Sequence, residues 1–219
     1  MASEGDARRD IIDACLEMNA CGLNQGTSGN VSLQYEDRML ISPSAVPYKM
    51  LTPDMIASID LAGDLTGDMP TSWDGPCKPS TEWRFHWLCM KRRDDITAVV
   101  HTHATYCTAL SMLHKTIPAC HYMVAAFGGM DVRCADYATF GTPELAENVM
   151  VALEGRTACL MANHGMIATG KGLEQSMWRA VEFEALARQY QLALQVGEPV
   201  LLSEEQINET LELFAGYGV

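Results

Sequence analysis

Six histidines occur in the 219 residues, and two of them stand one residue apart in His101-Thr102-His103. They end the β-branched run 96–100, which reads as a buried strand, and a two-residue period turns both imidazoles to one face. Two imidazoles so placed can grip one metal ion; they can equally satisfy backbone groups and do no more. Asn163-His164-Gly165 lies in the next strong apolar segment, 159–167, where a glycine allows a sharp turn. Three histidines at the C-terminal ends of neighbouring strands would stand where α/β sheets usually keep their sites, and three imidazoles with an open position form the donor set of catalytic zinc. Ser80-Thr81-Glu82, after Pro79, has the chemistry of a helix start, where free N–H groups, two hydroxyls and the helix dipole suit an anion such as phosphate, with Glu82 beside it. A plain N-cap with an acidic first turn explains the same residues. Gly26-Thr27-Ser28-Gly29-Asn30 is a polar glycine loop ahead of a strand, suited to aiming backbone N–H groups at an anion or simply to turning the chain.

These residues need a frame, and the local patterns supply one. Ser3 with Asp6 forms a capping box ahead of Ile11, Ile12, Cys15, Leu16 and Met18, largely on one helical face, and Gly22 ends that helix. Val31, Leu33 and Tyr35 alternate, Glu36-Asp37-Arg38 turns, and Met39-Leu40-Ile41 returns as a hairpin. A strand is expected at 55–59, closed by Ala62-Gly63-Asp64, and a long loop over 65–79. Ser80 is expected to cap a helix reaching about 93, followed by the 96–100 strand and a helix over 105–114. Thr142-Pro143-Glu144 starts another helix that Gly155 stops, and one strand is expected over 159–167. Helices over about 173–196 and from the Ser203/Gln206 capping box to near Gly216 complete the chain. The expected fold class is α/β: a single domain, 1–219, with a central mainly antiparallel or mixed β-sheet covered by helices.

Acidic residues exceed basic ones by 13, and the one basic run, Lys91-Arg92-Arg93, meets Asp94-Asp95 at once. Nucleic acid and anionic membranes are therefore not expected as partners. The eight cysteines form no Cys-x-x-Cys pair and mostly lie in apolar stretches, as reduced core cysteines do. No apolar run approaches the ~20 residues of a membrane span, and Met1–6 has no basic, apolar leader, so a cytoplasmic location is expected.

Taken together, His101-Thr102-His103, Asn163-His164-Gly165, the stretch from Pro79 through Ser80, Thr81 and Glu82 to His86, the stretch from Gly22 through Gly29 and Asn30 to Ser32, and Tyr137-Ala138-Thr139-Phe140-Gly141-Thr142 resemble the motifs of class II sugar-phosphate aldolases. Within that family the likeness is greatest to enzymes cleaving L-fuculose 1-phosphate, and it runs from about Ile11 to Gly218. The resemblance implies Zn2+, or another divalent ion such as Mn2+ or Co2+, on His101, His103, His164 and Glu82. Glu82 is then also the catalytic acid/base, and Tyr122 from the neighbouring subunit of a homotetramer is the second proton-transfer group. It implies a phosphate pocket of Gly29, Asn30, Ser44, Ala45, Ser80 and Thr81, which needs no lysine because N–H groups and hydroxyls suffice. Phe140, Phe214 and Tyr217 match positions facing the aldehyde, and Phe127 is expected near Tyr122; ordinary core aromatics read the same way. The implied reaction is retro-aldol cleavage of a ketose 1-phosphate, such as L-fuculose 1-phosphate, to dihydroxyacetone phosphate and a small aldehyde.

Three departures bear on the aldehyde half. Ala45 stands where glycine is usual, Phe127 is bulkier than the small residue expected, and the 65–79 loop is longer. They keep 5-methylthioribulose 1-phosphate and 5-deoxyribulose 1-phosphate among the substrates. The resemblance also extends to pentulose-phosphate 4-epimerases and a dehydratase sharing the metal site, and to a scaffold domain without chemistry. An epimerase would have aspartate in His121-Tyr122-Met123, and a scaffold has no need of three histidines with Glu82.

Overall fold

Residues 3–63, 70 and 72–215 are described by the computed structural model. Ser3 accepts from the Asp6 N–H while the Asp6 carboxylate accepts from Ser3, and this box opens α1 (Glu4–Ala20), which buries Ile11, Cys15 and Met18. The hairpin follows as β1 (Asn30–Tyr35) and β2 (Arg38–Ile41), with Glu36 in the left-handed region at φ 53°. The next strand, β3 (Ala57–Asp60), starts later than expected because Pro53–Met55 first winds into a 3-10 turn. Of the long loop expected at 65–79, residues 65–69 and 71 lie outside the described residues. The rest is pinned by bridges from Asp74 to Ser58 and from Pro79 to Pro43.

Helix α2 (Trp83–Arg92) begins three residues after the expected cap: Glu82, not Ser80, holds the N-cap position. Ser80 instead closes a turn, its carbonyl accepting from Trp83 N–H and its Oγ from Glu82 N–H. Strand β4 (Ala98–Thr102) carries His101 inside the sheet, and α3 (Thr105–Ser111) is shorter than expected. Two small strands, β5 (Ile117–Pro118) and β6 (Asp131–Val132), pair with each other, and β7 (Cys134–Ala135) joins the main sheet edge. Thr142 Oγ1 caps α4 (Pro143–Ala152) by accepting from Leu145 N–H.

The single strand expected at 159–167 is two: β8 (Ala158–Met161) and β9 (Gly165–Gly170), antiparallel neighbours joined through Asn163 and His164. The left-handed residue is Asn163 at φ 53°, not the glycine. Gly165 is needed because a Cβ there would lie 2.5 Å from the Thr102 carbonyl oxygen of β4. The chain closes with α5 (Leu173–Val196) and α6 (Glu204–Ala215), the latter opened by the reciprocal Ser203/Gln206 box.

The seven-stranded sheet runs β3-β2-β1-β4-β9-β8-β7, antiparallel except for the β7–β8 pair, so it is mixed. Alternate residues divide between two helical layers. Val100, Met166 and Ala168 join the core under α1, α3 and α5, whereas Val99, Cys159 and Ile167 join the core under α2 and α4. With both faces covered, the central strands are buried along their whole length, which explains their continuous apolar character. Among the described residues no helix is long and apolar enough to cross a membrane.

Candidate functional site

His101 lies in β4 and shares the α2 side of the sheet with Val99, two residues earlier, its ring edge-on to Phe85 of α2. Its Nδ1–H donates to the Met166 carbonyl at 2.9 Å, which fixes the tautomer and leaves the Nε2 lone pair facing away from the strand. His103 follows β4, and the turn between β8 and β9 brings His164 to the same place. The ligating atoms of the three rings all lie within 4.8 Å of one another, the reach of a single ion.

Glu82 meets this cluster from the α2 side, its Oε1 2.9 Å from His164 Nε2 and its Oε2 3.2 Å from His101 Nε2. The buried atoms His101 Nε2, His103 Nε2 and Glu82 Oε1 accept no hydrogen bond. Lone pairs of imidazoles and a carboxylate turned toward one buried point repel each other unless a cation stands among them. The residues present therefore fit a divalent metal ion, with His101, His103 and His164 as nitrogen donors and Glu82 within reach as an oxygen donor.

Burial acts to raise the Glu82 pKa, but His101 and His164 outweigh it and hold the carboxyl well below the usual carboxylate range. The positive end of α2, at whose cap Glu82 stands, favours the same ionised form. His103 is pushed down to about 4 by burial and by the two neighbouring imidazoles, so at neutral pH it is an uncharged ring with a lone pair able to ligate. Behind Glu82, Asn30 Nδ2 donates to Oε2 at 2.9 Å.

A cavity of about 360 Å³ opens beside the cluster. His103, His164, Glu82 and Asn163 line it together with Thr27, Ser28, Gly29, Asn30, Pro43, Ser44, Ala45, Ser80 and Thr81. All six residues expected at the phosphate pocket thus line one cavity. The N–H groups of Ser44 and Ser80 are already given to Lys78 O and Ser42 O, so these serines have their hydroxyls to offer. Gly29 packs against the His101 carbonyl, where a Cβ would approach to 2.7 Å, and its own carbonyl accepts from the Tyr48 hydroxyl. Ala45 adopts φ 59°, the left-handed conformation in which the expected glycine would be relaxed.

The aromatic expectations fare unevenly. Phe140 lines the cavity and is exposed, as is Tyr137, which residue-level reasoning had not singled out although it sits in the same motif. Phe127 does not line it: the ring is fully buried against Phe183 in the core under α5, where a bulky residue fills space a small one would leave empty. Phe214, on α6, lines a different cavity with Leu211 and Trp178, and Tyr217 lies outside the described residues. Tyr122 is half exposed on the 3-10 turn Tyr122–Phe127, its ring 4.7 Å from that of His121, and it does not line the cavity that His103 and His164 line. Thr27, Ser28 and Asn163 were also missed as single residues, though each belongs to a segment whose composition had drawn attention.

A mixed sheet between two helical layers, with three histidines and a glutamate converging beside a cavity, is the arrangement of the class II aldolase family, and likeness to known proteins makes this chain a lyase of that family. The chain belongs to the Class II Aldolase and Adducin N-terminal domain family, whose model matches residues 9–191. It is 49% identical over 212 residues to an L-fuculose phosphate aldolase of Escherichia coli strain K12, covering 96% of this chain and 95% of that one. It is 47% identical over 211 residues to a 5-methylthioribulose-1-phosphate/5-deoxyribulose-1-phosphate aldolase of Rhodospirillum rubrum, covering 96% and 92%. A solved structure of an L-fuculose 1-phosphate aldolase matches the fold with a TM-score of 0.90 at 38% identity over 98% of both chains.

Proposed function

We propose that this aldolase cleaves a ketose 1-phosphate, L-fuculose 1-phosphate first among them, into dihydroxyacetone phosphate and a small aldehyde. The observation that carries the reading is the convergence of His101 Nε2, His103 Nε2 and Glu82 Oε1, none of them hydrogen-bonded, beside a cavity whose wall also holds the hydroxyls of Ser44, Ser80 and Thr81 and the backbone of Gly29. Zn2+ is the ion we assign to His101, His103, His164 and Glu82, with Mn2+ or Co2+ as substitutes; bound there, it supplies a Lewis acid for the charge left on the oxygens of the departing fragment.

The residues divide the remaining work. Hydroxyls of Ser44, Ser80 and Thr81, with backbone groups of Gly29, Asn30 and Ala45, take the phosphate. Tyr122 of a neighbouring subunit accepts the proton of the hydroxyl that becomes the aldehyde as the carbon–carbon bond breaks. Glu82, an ionised base at rest, takes up one proton, the equivalent of the one the hydroxyl gives up, and delivers it to the carbon that keeps the electron pair, which releases dihydroxyacetone phosphate. Tyr122 is half exposed and does not line the cavity of its own chain, which suits a residue serving the next subunit, and a homotetramer is the assembly we assign. The catalytic unit is one domain, 1–219, acting in the cytoplasm.

A second substrate fits the same chemistry. Tyr137 and Phe140 give the cavity mouth two exposed aromatic faces, and a deoxy or methylthio end group, as in 5-deoxyribulose or 5-methylthioribulose 1-phosphate, would meet them without losing hydrogen bonds. Release of dihydroxyacetone phosphate from L-fuculose 1-phosphate and from 5-methylthioribulose 1-phosphate, measured in parallel with and without a chelator, tests both. Chelator-sensitive release establishes the lyase reaction, and the kcat/KM ratio selects the substrate. No release from either by a zinc-loaded protein would transfer the assignment to the epimerase or dehydratase reaction.

A further inference from the structure

Behind Glu82 runs a chain of buried hydrogen bonds that extends away from the cavity. The Glu82 carboxylate only accepts, so Asn30 must turn its Nδ2 toward Oε2, as the 2.9 Å contact requires. Asn30 Oδ1 is thereby left as an acceptor, and the His86 Nε2 that meets it must carry the hydrogen. The other ring nitrogen, Nδ1, lies 2.7 Å from Ser32 Oγ. Ser32 and His86 are 0% exposed, Asn30 5% and Glu82 6%, so no bulk water competes for these groups. Ser32 and Asn30 share the α2 face of β1, while His86 stands one helical turn beyond Glu82 with its ring stacked on Phe85 at 4.7 Å.

We propose that His86 is a positioning residue: backed by Ser32, it locks the Asn30 amide so that Glu82 Oε2 is tied back and Oε1 is held toward His164 and the cavity. Without the His86 N–H, the Asn30 amide gains a second orientation that sets Oδ1 against the carboxylate, and Glu82 Oε2 loses the Asn30 donor. The inference rests on the role given to Glu82 under the proposed function.

The test reads metal affinity without substrate. Wild-type protein, His86→Leu, His86→Gln and Ser32→Ala are stripped with a chelator and titrated with Zn2+ against a chromogenic competitor, and kcat and KM are measured on the zinc-loaded forms. His86→Leu should bind Zn2+ about tenfold more weakly and lose kcat about tenfold or more with KM within about twofold, the scale of one hydrogen bond to a charged group. His86→Gln, which keeps an N–H donor, should recover most of both losses, and Ser32→Ala should fall between. Ile207→Ala, in the separate small core under α6, controls for loss of packing and should leave Zn2+ affinity unchanged. Wild-type Zn2+ affinity in His86→Leu overturns the proposal, as does a His86→Gln no better than His86→Leu. If His86→Leu does not fold, Ser32→Ala decides, and unchanged affinity there overturns it. Failure of wild-type protein to cleave ketose 1-phosphates strikes the proposed function alone, since the affinities are read without substrate.

Discussion

Glu82 combines two demands that usually conflict: a buried carboxylate that is kept ionised, and a group ready to pass a proton. Burial opposes the charge, His101 and His164 favour it, and Asn30 supplies a donor on the far oxygen. Glu82→Gln preserves size and hydrogen-bonding capacity but cannot exchange a proton. Turnover should fall about 100- to 10,000-fold with the far-ultraviolet circular dichroism unchanged; near-normal turnover would remove Glu82 from the acid/base role. Ala45 shows the opposite situation, a residue out of place in its backbone conformation. At φ 59° a Cβ costs about 1 kcal/mol, so Ala45→Gly should stabilise the protein by roughly that amount, less the entropy glycine adds to the unfolded chain. An urea midpoint that falls instead would show the left-handed turn to be unstrained.

At the scale of elements, the metal-competent cluster depends on how closely β4 and β9 approach. Three contacts define that approach: His101 Nδ1 on the Met166 carbonyl, the β4–β9 ladder, and Gly165 against Thr102 and His103. In Gly165→Ala the new methyl would meet the Thr102 carbonyl at 2.5 Å and His103 Cδ2 at 2.9 Å. One contact is backbone and cannot rotate away, so the strands must shift just where two ligands sit. A stability loss of about 1–3 kcal/mol is expected, with a lower zinc content on metal analysis. Full metal content with wild-type stability would mean that the β4–β9 pair yields more easily than its pairing suggests. Helix α2 contributes differently, because it starts at Trp83 rather than at Ser80. Its positive end thereby lies at the Glu82 cap, and the serine is freed for the cavity wall.

At the scale of the molecule, protonation couples to folding through His86. Burial, with the charge of His101, pushes its pKa down to about 3, against about 6.5 when the chain is unfolded. Between those values the unfolded chain binds the extra proton, so stability is complete above about pH 6.5 and declines as pH falls toward 3. Metal-free protein should lose up to about 2 kcal/mol between pH 6.5 and pH 5 from this group, read from urea midpoints; a midpoint that rises on acidification would contradict it. Assembly has its own test. If Tyr122 serves the neighbouring subunit, Glu82→Gln and Tyr122→Phe chains, each inactive alone, should regain activity when co-expressed, with about a quarter of sites intact on random mixing. Absence of recovery in mixed tetramers would show that Tyr122 does not serve the neighbouring subunit.

The amino-acid sequence by itself determined what depends on near neighbours. Caps and alternation located α1, the β1–β2 hairpin, α4, α5 and α6, because Ser3 with Asp6, Thr142, and Ser203 with Gln206 act within a few residues. The short spacing of His101 and His103 and the strand-end segment around His164 made the three histidines metal-site candidates, the family resemblance added Glu82, and the glycine and serine loops marked an anion pocket. Tertiary structure decided what depends on distant partners. An apolar run such as 159–167 cannot reveal its own break; the β8–β9 turn forms there because Asn163 bonds back to Ser111 and β9 pairs with β4. The buried fate of Phe127 was decided by Phe183, 56 positions away, and the start of α2 by the turn that Ser80 makes with Trp83. The order of hydrogen bonds from Ser32 through His86 and Asn30 to Glu82 was set by packing β1 against α2, since a side chain's partners across a sheet leave no mark in its local sequence.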